Sequence, residues 1–215
     1  MPLLAYCTLE NVSEIKIPVY GVQQQRIFPI AHQGVKCLLS QFNAAAAVNN
    51  ESLQDCALNF NRVLKDIFEQ TAIIPFRFPT LVNEEQDIST YLQEHESELS
   101  LSLKRFRGMA QMEIHARSED TNGSEQHQSG TTYLRERQRQ LATMEKLFLD
   151  FRKALGPLVE EWRIRESADR VRCYVLIRRN VTEEFLKKTR TIELPAHVGV
   201  RITGPWPVSE FVSKT

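Results

Sequence analysis

The chain has 215 residues, 42% of them apolar and 25% charged, with 27 basic against 27 acidic side chains and a formal net charge of zero. That length holds one large or two small domains, and the composition is that of an ordinary water-soluble globular protein. The balanced charge argues against nucleic acid as the main partner, no apolar run approaches the ~20 residues of a membrane helix, and no basic and apolar leader opens the chain. The expected setting is the cytosol.

The first element expected is a buried strand over Leu3-Leu4-Ala5-Tyr6-Cys7-Thr8-Leu9. Further strand-like stretches follow at Ile17 to Val22, Arg26 to Ile30 and Val35 to Ser40, with Gln33-Gly34 as a turn. Pro18 and Pro29 lack a backbone donor and suit sheet edges. After Asn49-Asn50, Leu53, Cys56, Ala57, Phe60, Val63, Leu64, Ile67 and Phe68 recur at helical steps, giving an amphipathic helix that ends near Thr71. Pro75-Phe76-Arg77-Phe78-Pro79 then reads as extended, because a residue before proline is pushed out of the α region. Glu84 to Phe106 is a second helix, with Ile88, Leu92, His95, Leu99 and Phe106 on one stripe.

From Met109 the pattern is cleaner. Met112, Ile114 and Ala116 alternate with Glu113, His115 and Arg117, as in a half-buried strand. The stretch from about 118 to 131 is a solvated loop. A long helix starts near Thr132, and its apolar seam runs through Leu141, Met144, Phe148, Phe151, Leu155, Leu158 and Trp162. Gly156-Pro157 should kink or break it. Arg163 to Ser167 and Arg170 to Arg178 pair across Ala168-Asp169, a helix with Thr182 as N-cap follows, and Val198 to Thr203 is the last strand. Residues from 109 therefore spell β-α-β-β-α-β, the order of a ferredoxin-like domain. The fold class expected is α+β, with an N-terminal mixed domain over 1–108 and a modified ferredoxin-like domain over 109–215.

Candidates for chemistry are few. Cys7, Cys37, Cys56 and Cys173 form no metal-type pair and sit in apolar runs, so they read as core thiols. His32, His95, His115, His127 and His197 are scattered, and the pairs Glu84-Glu85 and Glu160-Glu161 fall on helix ends or polar faces. No nucleophile elbow, phosphate-binding loop or dinucleotide fingerprint occurs. We therefore expect no catalytic residues, no metal and no cofactor. The strands offer only Tyr174 among arginines, so an RNA-recognition surface is a weak reading. Phe76 and Phe78 should share one face with Arg77 opposite, either filling the core or forming a contact surface. Pro205-Trp206-Pro207 with Phe211 reads as a rigid tail, tucked in or serving as an aromatic anchor.

Ile73-Ile74-Pro75-Phe76-Arg77-Phe78-Pro79-Thr80 and Gly204-Pro205-Trp206-Pro207, in this order and separation, resemble landmarks of the gas-vesicle protein F/L family. These are accessory proteins of the gas-filled flotation organelles of some bacteria and archaea. Leu4-Ala5-Tyr6, Leu99 to Gly108, and Ser129-Gly130 with Tyr133-Leu134 and Arg137 are similar to further family features, so the likeness covers nearly the whole chain. Two departures stand out: Pro79 where members often carry glycine, and Pro207-Val208-Ser209-Glu210-Phe211 where they carry Pro-Tyr-Ser-Phe. The resemblance implies two domains, the second ferredoxin-like, and a minor structural or assembly component of the gas vesicle. It implies as partners the gas vesicle major shell protein and other accessory proteins, with no membrane and no nucleic acid. Candidate partner-binding residues are Phe76, Arg77, Phe78, Trp206 and Phe211. The alternative is a ferredoxin-like regulatory or small-molecule-sensing protein.

Overall fold

The computed structural model describes residues 1–47, 50–118, 130–167, 170–195 and 198–212. The chain divides into two compact units, Met1–Met109 with Pro207–Thr215, and Ala110–Trp206. Each contains a four-stranded antiparallel sheet and two α-helices, an α+β architecture.

The first unit holds strands β1 (Leu3–Glu10), β2 (Phe28–His32), β3 (Val35–Gln41) and β4 (Ile73–Val82), with helices α1 (Asn50–Phe68) and α2 (Glu85–Arg105). The strand order is β2-β3-β1-β4. Strand β1 is apolar at almost every position because it is central and covered on both faces. Leu3 and Ala5 join Val35, Cys37 and Leu39 against Ile88, Leu92, Leu99 and Leu103 of α2. Tyr6, alternating with Ala5, instead stacks on Phe60 of α1 with ring centroids 5.2 Å apart. The two helices therefore cover opposite faces of the sheet.

Helix α2 opens at Glu84 as N-cap, and the Asp87 carboxylate accepts from the Asn83 and Glu84 N–H groups at 3.2 Å. Acidic Glu85 and Asp87 sit in its first turn and Lys104 and Arg105 in its last, matching the helix dipole. Two sequence expectations change here. Ile17 to Val22 is no strand: one bridge, Tyr20 to Arg26, closes a loop in which Val22 to Gln24 form a 3-10 turn. Pro18 donates nothing to a ladder, and the Val22 N–H goes to the Tyr6 hydroxyl instead. Leu53, expected on the apolar face of α1, is exposed.

At the chain end, the segment from Pro207 groups with the first unit and buries Val208 and Phe211. Pro29 does lie on an edge strand, and so do Pro75 and Pro79 of β4, where a missing donor breaks no ladder.

The second unit runs β5 (Met109–Ser118), α3 (Gly130–Leu155), β6 (Val159–Ser167), β7 (Arg170–Arg178), α4 (Thr182–Thr189) and β8 (Val198–Trp206), with strand order β6-β7-β5-β8. Met112, Ile114 and Ala116 are buried as expected, and so are Met144, Phe148, Phe151 and Leu155 of α3. Gly156-Pro157 ends α3 outright: a short 3-10 turn over Gly156–Leu158 leads into β6. Trp162, placed on the helical seam by its spacing, is thus a strand residue. Thr182 is the first residue inside α4 and Val181 its N-cap; the Thr182 hydroxyl donates to the Arg179 carbonyl at 2.8 Å. The expected loop centre at 119–129 lies outside the described residues, as does His197.

Candidate functional site

The proline-rich segment of β4 is not a regular strand. Cys7 pairs with Pro75 and Ala5 with Thr80, so the four residues Phe76 to Pro79 stand opposite the single Tyr6. The extra residues break the two-residue alternation. Phe76 turns to the α2 side, its ring 5.8 Å from that of Tyr91, and Phe78 to the α1 side, 5.2 Å from Phe60. The expectation that both rings share one face is therefore corrected. Both are half-buried, and Arg77 is left exposed at the tip. The Thr80 hydroxyl closes the bulge by donating to the Arg77 carbonyl at 2.6 Å.

The Gly204-Pro205-Trp206 segment belongs to β8, longer than expected by three residues. Glu113 pairs with Thr203 and Gln111 with Trp206, so β8 carries a one-residue bulge. Gly204 sits at φ +117°, and a Cβ there would stand 2.8 Å from the Gln111 carbonyl oxygen. Only glycine fits that position. Trp206 is 45% exposed, and its indole N–H reaches Thr203 Oγ1 at 3.3 Å. Phe211 is 1% exposed. Of the five sequence candidates, Arg77 and Trp206 are on the surface, Phe76 and Phe78 are packed on ring partners, and Phe211 is interior.

One surface escaped the sequence reading. Leu149 and Ile164 are exposed, and with Met144, Phe148, Arg152 and Val171 they border a hollow of about 280 Å³ between α3 and the β6–β7 hairpin. Its wall is aliphatic and aromatic, with Glu145 and Arg152 at the rim. The available signal was Leu149, an apolar residue beside the buried seam of α3, and the isoleucine among charges in β6.

The titratable groups are engaged locally. Glu160 pairs with Arg178 at 2.9 Å and Glu161 with Arg163 at 3.0 Å, the two carboxylates diverging because they are neighbours in a strand. His95 Nδ1 lies 3.0 Å from the Tyr91 carbonyl and His115 Nε2 3.0 Å from Glu113. Burial raises all four thiols, Cys173 to about 12. Such thiols are poor nucleophiles near neutral pH. Among the described residues no cluster of three His, Cys, Asp or Glu side chains is placed to hold a metal ion, and no helix is long and apolar enough to cross a membrane.

These features define an α+β protein built on two antiparallel four-stranded sheets. The family model described as gas vesicle synthesis protein GvpL/GvpF matches residues 2–213, and the chain belongs to that family. The crystal structure of gas vesicle protein GvpF from Anabaena sp. PCC7120 is similar with a TM-score of 0.79 at 15% identity, covering 100% of this chain and 97% of that one. GvpF from Microcystis aeruginosa is similar with a TM-score of 0.79 at 12% identity, covering 99% of each chain. At such identities these two likenesses bear on the fold alone. No curated protein sequence matches the chain.

Proposed function

We propose that this protein is a minor structural and assembly component of the gas vesicle, binding the major shell protein and other accessory proteins while the wall is built. The carrying observation is the match of the GvpL/GvpF family model to almost the entire chain. The physical logic is that a subunit of a gas-tight wall exposes apolar surface before assembly and needs a partner that covers it. Exposed Trp206, and Leu149 and Ile164 beside the apolar hollow, are surfaces of that kind. Arg77, exposed at the tip of the β4 bulge, completes the contact set. The β-α-β-β-α-β order with strands β6-β7-β5-β8 supports reading the second unit as a modified ferredoxin-like domain. A domain boundary near 108 and 109 accompanies that reading.

The test is co-expression with the major shell protein, followed by capture on the tagged chain. Wild type is expected to retain the shell protein, and Trp206→Ala and Leu149→Asp to retain less while melting normally. Phe211→Ala is a control of a different kind: loss of an interior ring should destabilise the fold by about 3–5 kcal/mol. No capture by folded wild type, with other accessory proteins also supplied, would overturn the assembly role.

A further inference from the structure

We propose that the sheet face of the second unit turned away from its helices docks an extended acidic segment of a partner protein, held by Arg117, Arg172 and Arg201. The surface adjoins exposed Trp206, whose indole bonds Thr203 at its edge, and its own chemistry is charge recognition. On β7 every residue from Val171 to Ile177 is buried except Arg172, and Val171 lines the hollow under α3, so Arg172, next along the strand, points the other way. On β5 the buried series is Met112, Ile114 and Ala116, which leaves His115 and Arg117 on the opposite side. Arg201 pairs directly with His115 across the β5–β8 ladder and shares its face.

Arg117, Arg172 and Arg201 are exposed, and with His115 and Thr203 they bound a hollow of about 660 Å³. None of the three has an ion-pair partner among the described residues. The carboxylates on this face are occupied: Glu113 by Gln111 and His115, and Glu161 by Arg163. A fourth arginine, Arg165, stands directly opposite Arg172. Like charges facing each other across a ladder are destabilising. A chain with zero net charge that gathers Arg117, Arg172 and Arg201 here holds a surface complementary to negative charge.

Strands β7, β5 and β8 are adjacent, so the outer arginines stand roughly 10 Å apart. One carboxylate does not bridge that distance. Alternate side chains of an extended peptide recur about every 7 Å and reach successive guanidinium forks. Nucleic acid is the poorer fit. The aromatics on this face are Tyr174, 6% exposed with the Arg165 guanidinium over its ring, and exposed Trp206 beside Thr203, a single platform rather than the row on which successive bases stack.

The experiment uses the full chain and a fluorescein-labelled peptide of alternating glutamate and threonine, read by anisotropy at low and high salt. Binding should weaken with salt, and Arg172→Ala and Arg201→Ala should each lose about tenfold in affinity. Arg172→Lys should recover part of that loss, because charge is kept and the fork is not. Arg62→Ala and Arg190→Ala, exposed arginines elsewhere, should bind as wild type. If those two weaken binding equally, or the sheet variants bind as wild type, the proposal is overturned. Tighter binding of a single-stranded oligonucleotide of equal charge overturns it too. Thermal melts accompany each variant, and where an alanine variant unfolds, the lysine variant decides.

Discussion

The Tyr6 hydroxyl lies 2.9 Å from Ser40 Oγ and accepts the Val22 N–H at 2.9 Å, in a fully buried site. One atom thus ties the central strand to β3 and to the loop that precedes β2. Tyr6→Phe keeps the stack on Phe60 but strands a buried N–H, so it should lower unfolding free energy by about 1–3 kcal/mol in urea titrations. An unchanged midpoint would mean the loop supplies another acceptor. Two residues on, the Thr8 hydroxyl is buried with no hydrogen-bond partner among the described residues. Thr8→Val removes that uncompensated group at nearly constant shape, and stability should rise by about 1 kcal/mol. The sequence did show that Tyr6 and Thr8 lie in a buried strand. It could not show their different polar fates, because Ser40 and Val22 approach Tyr6 only after distant segments fold.

At the scale of elements, periodicity was a good guide wherever burial is one-sided. Helix α2 and strand β5 follow their apolar residues because each has one face to hide. The reading failed where spacing is ambiguous: Trp162 falls at a helical step from Leu158, yet Gly156-Pro157 resets the backbone and Trp162 is in β6. It failed again at Phe76 and Phe78, since a bulge is invisible to a rule of alternation. The β8 bulge left a better trace, because glycine followed by proline marks special backbone. There Gly204→Ala would set a Cβ against the Gln111 carbonyl at φ +117°. Strain of this kind is worth about 1–3 kcal/mol, and relief requires shifting the β5–β8 ladder. Amide hydrogen exchange should therefore quicken at residues near Gln111 and Thr203 while β1 and β3 stay protected. Uniform acceleration in both units would count against so local a role for the glycine.

For the molecule as a whole, the return of the chain after Trp206 was illegible beforehand, because Phe211 is apolar whether it anchors a partner or fills its own core. Protonation gives a property shared by both units. Burial raises Cys7, Cys37 and Cys56 in the first unit, together with Tyr6 and Tyr91, and raises Cys173 to about 12 in the second. A raised acid holds its proton in the folded state after the unfolded chain has lost it. Its contribution is complete below the ordinary thiol value of 9.0 and is lost as pH climbs toward the folded value. Lys36 and Arg179 work the other way, since desolvation lowers both and the folded chain sheds those protons first. Six groups oppose two, so urea midpoints should hold steady to about pH 8 and fall through the alkaline range. Thiol titration supplies the structural control. At pH 8 a disulfide reagent should find the four cysteines slow in the native chain and all reactive once urea unfolds it. Fast native labelling would show that burial is not what holds the thiols protonated, and the alkaline loss of stability should then shrink to the share of Tyr6 and Tyr91.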